Sequence, residues 1–416
     1  MANMLTILFL AALLLSLLIR VWLAHRHLAH VAAHRSQAPA AFAEQIPLAA
    51  HQKAADYTAT KTRFGLFALA VETALLLMWT LGGGLSFLAT FWQPYAEGLW
   101  HGLALILSMM AIGGALDIPL AVWRQFVIEE RFGFNRMTPK LFIADLAKGT
   151  LLGAAIGTPV ILAVLWLMAA MGERWWLYVW LFWCGFNLLI LFVYPTWIAP
   201  RFNKFTPMAE GDMKTRIEAL LERCGFRSGG LFVMDGSKRS AHGNAYFTGF
   251  GQTKRIVFFD TLLARLQPQE VEAVLAHELG HFHHRHVVKR IALIFGASLC
   301  FLAVLGQLAD APWFYAGLGV DPALHGNAMA LLLFFLIVPV FVFPLTPFGS
   351  LLSRRHEFEA DRYAAAHADR ADLVTALVKL YEDNAATLTP DPLHSLFYDS
   401  HPPAAIRIEQ LMKAPA

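Results

Sequence analysis

The chain has 416 residues, of which 57% are hydrophobic and 15% are charged, well below the roughly 25% charged residues of ordinary globular domains. Together with a mean hydropathy of +0.51, this composition excludes an ordinary soluble protein. The net charge of +3 says little by itself, and we expect no nucleic-acid partner. Cys184, Cys224 and Cys300 are scattered, so they build no disulfide framework or thiolate metal site and are interpreted as packing residues.

Seven apolar runs are long enough to cross a bilayer. They lie at 4–24, 64–91, 99–122, 150–171, 175–199, 288–308 and 327–350. The first run is too long for a cleaved signal peptide, and no small-residue cleavage site follows it. We therefore expect it to be a retained membrane helix.

The distribution of Lys and Arg predicts the orientation of the spans. These residues collect in four segments, at 25–63, 124–148, 201–290 and from 354 onward. The alternate connections, 92–98, 172–174 and 309–326, are short and poor in them. By the positive-inside rule, the N-terminus lies outside and the C-terminus lies in the cytoplasm.

The order of polar and apolar segments predicts four parts. These are a five-span membrane region (1–200), a first polar block (201–287), two further spans (288–350) and a second polar block (351–416). Both polar blocks are expected on the cytoplasmic side. They can therefore fold together as one domain, with spans six and seven as an inserted hairpin.

The first polar block reads as a small α+β unit. Helical periodicity covers 213–224, and short strand-like runs follow at 230–234, 245–250 and 255–259. Asp235-Gly236 and Gly251-Gln252 supply turn chemistry between the runs. A helix is then expected to begin near Pro268, which suits a first helical turn.

That helix carries an HExxH motif, which is typical of zinc peptidases. Its residues are His277-Glu278-Leu279-Gly280-His281. Histidines four apart share one helix face, so both can bind one metal ion, and Glu278 can take a proton from a metal-activated water. The chain has 17 histidines, so the motif alone leaves a chance match open.

A catalytic zinc needs a third protein ligand, and the segment 351–365 offers one. Glu357 and Asp361 share a helix face, so one can bind zinc while the other accepts the free ring N–H of a ligand histidine. Glu359 points away from this pair and is expected to be solvated or ion-paired. Neutralisation of these acids by nearby arginines, in a plain salt-bridged helix, remains the alternative.

These segments together resemble the type I CAAX prenyl endopeptidases, which are integral-membrane zinc peptidases. Besides the HExxH motif, the matching segments are Ser353-Arg354-Arg355-His356-Glu357-Phe358-Glu359-Ala360-Asp361, Glu129-Glu130-Arg131-Phe132-Gly133-Phe134-Asn135, Asn244-Ala245-Tyr246-Phe247, Lys254-Arg255-Ile256-Val257 with Asp260-Thr261-Leu262, and His401-Pro402-Pro403 with Arg407. The resemblance implies a mainly α membrane protein. In it, seven transmembrane helices enclose an intramembrane chamber below a small α+β zinc protease domain.

The resemblance also implies roles for single residues. One Zn²⁺ per chain would be held by His277, His281 and Glu357, with Glu278 as general base and Asp361 as hydrogen-bond partner of a ligand histidine. Asn244, Ala245 and Tyr246 would form a strand edge that binds an extended peptide, although Asn244 could simply make a turn. His401 would lie near the scissile carbonyl and Arg407 in a supporting ion pair, against the alternative of a loop and a surface arginine.

Several polar residues are expected to lie outside the zinc site. His283, His284 and His286 cannot converge on the same ion by helical spacing and are interpreted as interfacial, and His356 is expected to point elsewhere. Glu72 and Asp117 fall within apolar runs, where charges usually face a partner or a water-filled space. The resemblance favours the chamber wall for both.

The predicted function is hydrolysis of peptide bonds by a zinc-activated water in an integral-membrane, multi-pass enzyme. The substrate would be a peptide or protein, with removal of a C-terminal tripeptide from prenylated proteins as the family's activity. The short loops favour a bacterial inner membrane over the endoplasmic reticulum, with the site on the cytoplasmic side. Turnover of unprenylated membrane proteins is the main alternative; an intramembrane protease, a zinc transporter and a shorter heat-shock protease are weaker ones.

Overall fold

The computed structural model describes residues 3–40, 42–248 and 255–413. Helices dominate these residues. In chain order they are α1 (Met4–Ala33), α2 (Leu48–Trp79), α3 (Gly84–Trp92), α4 (Gly98–Trp123), α5 (Pro139–Ala170), α6 (Trp175–Val193), α7 (Asp212–Arg223), α8 (Asp260–Leu263), α9 (Pro268–His283), α10 (His286–Leu308), α11 (Pro312–Gly317), α12 (Asn327–Val342), α13 (Thr346–His367), α14 (Arg370–Asp383), α15 (Pro392–Tyr398) and α16 (Ala404–Lys413).

Seven stretches of helix in the described residues are long and apolar enough to cross a membrane. They are Met4–Ala33, Leu48–Trp79, Gly98–Glu129, Pro139–Ala170, Gly172–Arg201, His286–Leu308 and Asn327–His367. The third and fifth extend α4 and α6 through π-helical turns. The predicted number of spans and the mainly α fold are therefore confirmed.

Two predicted span boundaries differ from the structure. The apolar run 64–91 is not one helix, because α2 ends at Trp79 and α3 begins at Gly84. Gly83 between them has a φ of +78°, a left-handed conformation that glycine adopts without steric cost and that ends a helix. The run 327–350 does not end at the membrane face, because a single turn, Phe343–Leu345, joins α12 to α13.

The membrane helices share an apolar core. Its fully buried members include Phe9 on α1, Leu305 on α10 and Leu333 on α12, with Phe314 on the short helix α11. Glu72 on α2 and Asp117 on α4 have exposed side chains. Since carboxylates avoid lipid, their exposure is what a chamber between the helices would require.

The small sheet has four strands among the described residues, in the order β1-β2-β4-β3. They are β1 (Phe205–Pro207), β2 (Leu231–Met234), β3 (Ala245–Thr248) and β4 (Arg255–Phe259). β2 and β4 are parallel, and the two outer strands pair antiparallel. β1 was not predicted, whereas the other three agree with the predicted strands. Gly249, Phe250, the Gly251-Gln252 turn and Lys254 lie outside the described residues.

The core beneath the sheet contains side chains from both polar blocks. Ile256 and Phe258 of β4 and Leu275 of α9 pack in one cluster with Leu373 of α14 and Leu411 of α16. Burial of these side chains joins two parts of the chain that spans six and seven separate in sequence. Among the described strands, β1 and β3 are the two edges of the sheet, and β3 pairs with β4 on one side only.

Candidate metal centre and active site

The helix that carries the HExxH motif begins as predicted, at Pro268. A capping box precedes it, in which the backbone N–H of Gln267 donates to the Glu270 carboxylate at 2.8 Å. Glu270 is buried and pairs with Lys379 of α14, with Nζ 2.7 Å from Oε1. The start of α9 is therefore anchored to the second polar block before the motif is reached.

The HExxH helix and the helix of the third predicted ligand pack at very short range. At Gly280, the fourth residue of the motif, an added Cβ would lie 2.8 Å from Cα of Ala360 and 3.0 Å from its carbonyl oxygen. Only glycine permits this approach. It brings the metal-facing side of α9 against the face of α13 that carries Glu357 and Asp361.

Two imidazole nitrogens and the two oxygens of one carboxylate meet at this contact. His277 Nε2 lies 3.2 Å from His281 Nε2 and 3.5 Å from Glu357 Oε2, and His281 Nε2 lies 3.4 Å from Glu357 Oε1. Tetrahedral zinc with bonds of about 2.0–2.1 Å holds its ligand atoms about 3.3 Å apart. The separations match that geometry.

The chemistry of the three side chains also fits a metal. Glu357 and His277 are buried, and Glu357 Oε2 has no hydrogen-bond donor among the described residues. A buried carboxylate oxygen without a partner is costly unless a cation satisfies it. Two neutral imidazoles and a carboxylate form one of the usual donor sets of catalytic zinc.

Asp361 lies behind the first histidine. Its Oδ1 accepts from His277 Nδ1 at 2.8 Å, so a neutral ring carries its proton on Nδ1 and turns the lone pair of Nε2 toward the site. Burial alone would lower the pKa of His277. The neighbouring carboxylates of Asp361 and Glu357 outweigh burial and raise the pKa to about 9.

Arg407 is buried behind the ligands rather than exposed on the surface. Its Nε and Nη2 donate to the two oxygens of Asp361 at 2.8 and 2.5 Å, and its Nη1 lies 3.6 Å from Glu357 Oε2. The guanidinium is thus held by carboxylates that themselves contact the predicted metal ligands. The alternative of a surface arginine is wrong.

His401 approaches the same carboxylate from the open side. Its Nε2 lies 3.4 Å from Glu357 Oε1, and 62% of its side chain is exposed. The hydroxyl of Ser400 lies 3.0 Å from its Nδ1. Its imidazole therefore lies at the cavity beside the candidate metal site.

A cavity of about 750 Å³ opens next to the ligands. Glu278 of the motif lines it, together with Asn244 and Ala245 at the edge strand and with His401. Residues from the first two membrane helices complete the wall, among them His27 and Tyr57. Glu278, the edge strand and the membrane helices therefore face one space.

Tyr246 and Asn244 take different positions on the edge strand. Asn244 is exposed, and its side-chain oxygen accepts from the backbone N–H of Ala245 at 2.8 Å. Tyr246 is half-buried, with its hydroxyl 3.9 Å from the sulfur of Met234. The local hydrogen bond of Asn244 agrees with a turn before β3, and it leaves the side-chain amide N–H groups free of protein partners among the described residues.

His286, which helical spacing excludes from the ligand set, contacts a predicted ligand in the structure. His286 Nδ1 lies 2.9 Å from Nδ1 of the ligand His281, and His286 Nε2 lies 2.9 Å from Glu359. The expectation that His286 is merely interfacial is therefore wrong. Glu359, which was expected to be solvated or ion-paired, is ion-paired to His286 and Arg355.

Glu129, in the segment 129–135, contacts α2 and the residues that precede the edge strand. Glu129 accepts from the hydroxyl of Tyr57 at 2.7 Å, and its other oxygen lies 3.6 Å from Nε2 of His242. The Nδ1 of His242 donates to Asn384 at 2.9 Å. His242 stands two residues before Asn244, so this network ties α2 to the entry of the edge strand.

Two family descriptions match the chain. One, "CAAX prenyl protease N-terminal, five membrane helices", covers residues 27–204, and the other, peptidase family M48, covers residues 207–414. Their joint coverage spans both the membrane region and the metal centre.

Curated relatives resemble most of the chain, and one solved structure resembles nearly all of it. "CAAX prenyl protease 1 homolog" of Arabidopsis thaliana is 37% identical over 317 residues, which is 75% of this chain and 73% of the relative. The Homo sapiens protein of the same description is 31% identical over 401 residues, covering 83% and 82%. The crystal structure of S. mikatae Ste24p superposes with a TM-score of 0.92 at 28% identity, covering 98% of this chain and 99% of that one.

Proposed function

The chain belongs to the type I CAAX prenyl protease family, with a peptidase domain of family M48, and on this premise we propose how its residues divide the work of peptide hydrolysis. It is an integral, multi-pass membrane metalloendopeptidase. We propose that one Zn²⁺ per chain is held by His277, His281 and Glu357. The observation that carries this assignment is that Nε2 of His277, Nε2 of His281 and the buried carboxylate of Glu357 lie 3.2–3.5 Å apart, while Glu357 Oε2 lacks a hydrogen-bond donor among the described residues.

Zinc, when bound, polarises the scissile carbonyl and makes a water molecule more acidic. Glu278 is the residue that moves the proton. It follows a ligand directly in sequence, lines the cavity and is only half-buried, so it reaches both the attacking water and the departing amine. Its carboxylate takes the proton from the water and passes it to the amine as the peptide bond breaks.

The edge strand is proposed to bind the peptide. Asn244, Ala245 and Tyr246 lie at the start of β3, whose outer side carries no partner strand among the described residues. An extended substrate can add there through main-chain hydrogen bonds, which do not depend on its side chains. This mode of binding suits an endopeptidase and aligns the peptide with the cavity that Glu278 lines.

His401 and Arg407 have different proposed roles. The exposed imidazole of His401 donates a hydrogen bond to the oxygen of the scissile carbonyl as negative charge develops on it. Arg407 is buried against Asp361 and Glu357, so it holds these carboxylates in place. It thereby fixes the ring of His277 without touching the peptide.

The proposed substrate is a protein with a prenylated C-terminus, from which a tripeptide is removed. The names of the relatives support this substrate class. Proteolysis of unprenylated membrane proteins is the second candidate, because the edge strand binds main chain of any sequence. The site is proposed to face the cytoplasm, of a bacterial inner membrane or of the endoplasmic reticulum in a eukaryote, on the side rich in Lys and Arg.

The two polar blocks are proposed to form one protease domain around the inserted spans. The four parts, 1–200, 201–287, 288–350 and 351–416, would then serve as membrane region, first half, hairpin and second half. The shared core of β4, α9, α14 and α16 supports this division.

The test of the substrate class uses the detergent-solubilised enzyme and matched peptides. One peptide carries a farnesylated C-terminal CAAX sequence, and the other is identical but unprenylated. Mass spectrometry of the products should show release of the intact tripeptide, with a much higher kcat/KM for the farnesylated peptide. Equal cleavage of both peptides would favour the turnover of unprenylated membrane proteins.

A further inference from the structure

The ligand His281 has a hydrogen-bonded partner on the first residue of a membrane helix. His286 begins α10, and its Nδ1 lies 2.9 Å from Nδ1 of His281. Its Nε2 lies 2.9 Å from Oε2 of Glu359 on α13, and only 5% of its side chain is exposed. Arg355 completes the chain of contacts, with Nε 3.1 Å from Oε1 of Glu359.

The directions of these hydrogen bonds follow from the chemistry of the groups. An ionised carboxylate only accepts, so Nε2 of His286 must donate to Glu359. The other ring nitrogen of a neutral His286 is then an acceptor, and it can accept only from an Nδ1–H of His281. His281 is thereby held as the tautomer whose Nε2 keeps its lone pair, and that atom faces His277 and Glu357.

The backbone is shaped to make this contact. Arg285, which separates α9 from α10, has a φ of +55°, an uncommon left-handed conformation for a residue with a side chain. Together with His284 it forms the turn between the two helices, after which His286 contacts His281 although the two are five positions apart. Such conformations persist where the surrounding contacts determine them.

We propose that His286, held by Glu359, is a positioning residue that fixes the tautomer and ring orientation of His281 for metal binding. The inference rests on the proposed role of His281 as a ligand. Each proposed ligand histidine then donates its Nδ1–H to a residue outside the ligand set. His277 donates to Asp361, and His281 donates to His286, which Glu359 holds in turn. This arrangement also couples the metal centre to the ends of two membrane-spanning stretches.

The same residues do not form a second metal site. His286, His356 and Glu359 lie close enough to share an ion. However, the rings of His286 and His356 stack at 4.0 Å with an interplanar angle of 14°. An imidazole binds a metal in the plane of its ring, so two stacked parallel rings cannot both bind one ion. His356 instead supports the plane of His286.

The test measures zinc affinity by chelator competition on the purified full-length enzyme. His286→Phe keeps the ring and its stacking but loses both nitrogens, and it should weaken zinc binding roughly 10–100-fold. His356→Phe is the matched control and should bind one zinc per chain as the wild type does. The proposal would be overturned if His286→Phe bound zinc within twofold of the wild-type affinity. It would also be overturned if the wild type bound a second zinc that His356→Phe lost.

Variants of Glu359 decide the matter if His286→Phe does not fold, as judged by its elution from a sizing column. Glu359→Leu removes the acceptor and should weaken zinc binding about tenfold, whereas Glu359→Gln keeps an acceptor and should restore most of it. Equal affinities for the two variants would contradict the role of the pair. If neither His281→Ala nor the His286 and Glu359 variants weaken zinc binding, the proposed ligand set fails. If His281→Ala weakens zinc binding and the His286 and Glu359 variants do not, this inference alone fails.

Discussion

Gly280 and Ala360 lie in close contact between the two helices that carry the proposed metal ligands, with an added Cβ at residue 280 only 2.8 Å from Cα of Ala360. Gly280→Ala must therefore push α9 away from α13. Overpacking of this kind costs about 1–3 kcal/mol of stability, and the shift separates the histidines from Glu357. We expect a lower melting temperature and weaker zinc binding. Gly296→Ala, on α10 with no atom within 4 Å of its added Cβ, is the control; equal zinc affinity in both variants would contradict this packing.

Arg407 neutralises Asp361 in a buried environment, where 6% and 5% of the two side chains are exposed. Arg407→Met leaves a buried carboxylate without its main cation, and loss of one partner of such a pair costs about 3–5 kcal/mol. Thermal unfolding should show this destabilisation, and Arg407→Met/Asp361→Asn should recover part of it. If the single variant is as stable as wild type, the ion pair is not structural.

Zinc binding should release a proton near neutral pH. In the metal-free protein the pKa of His277 is raised to about 9, so the ring is protonated below that pH. A ligand histidine must be neutral; zinc affinity therefore rises with pH, about tenfold per unit for one displaced proton, and levels off above about pH 9. Calorimetry at pH 7 in buffers of different ionisation enthalpy measures the released protons, and a heat that is the same in every buffer would contradict the expectation.

His401→Ala should lower kcat with little effect on folding. The imidazole is 62% exposed, so its loss leaves no cavity in the core. Loss of one hydrogen bond to the developing oxyanion costs roughly 10²–10³ in kcat. Zinc content should stay at the wild-type level, and Ser400→Ala, which removes only the hydroxyl beside Nδ1, is the milder control. A wild-type kcat for His401→Ala would remove this residue from the mechanism.

Local patterns predicted most of the fold and much of the site. The choice of Glu357 as third ligand rested on the family resemblance. Apolar length, in contrast, predicted the number of spans, helical periodicity predicted α7 and α9, and the spacing of the HExxH motif placed His277 and His281 on one helix face. Each of these signals acts within one helix or one strand. They can therefore be recognised in the sequence without knowledge of the tertiary structure.

Features that depend on a single backbone torsion were missed. A hydropathy average continues through 64–91, whereas Gly83 at φ +78° divides it into two helices. On a continuous helix, His286 would lie on a different face from His281. The left-handed turn at Arg285, with φ +55°, instead allows the two rings to make contact. The left-handed arginine carries no sequence signal, although the three consecutive glycines at 82–84 could have indicated the break after α2.

Glu278→Gln tests the central claim most directly, since the amide keeps the shape of the side chain but cannot take a proton. With zinc content measured by atomic absorption and turnover by peptide cleavage on the same sample, we expect one zinc per chain and a kcat reduced roughly 10²–10⁴-fold. His281→Ala, measured alongside, should lose both zinc and activity. Turnover near the wild-type level in zinc-loaded Glu278→Gln would contradict the assignment of Glu278 as the proton carrier of this membrane metallopeptidase.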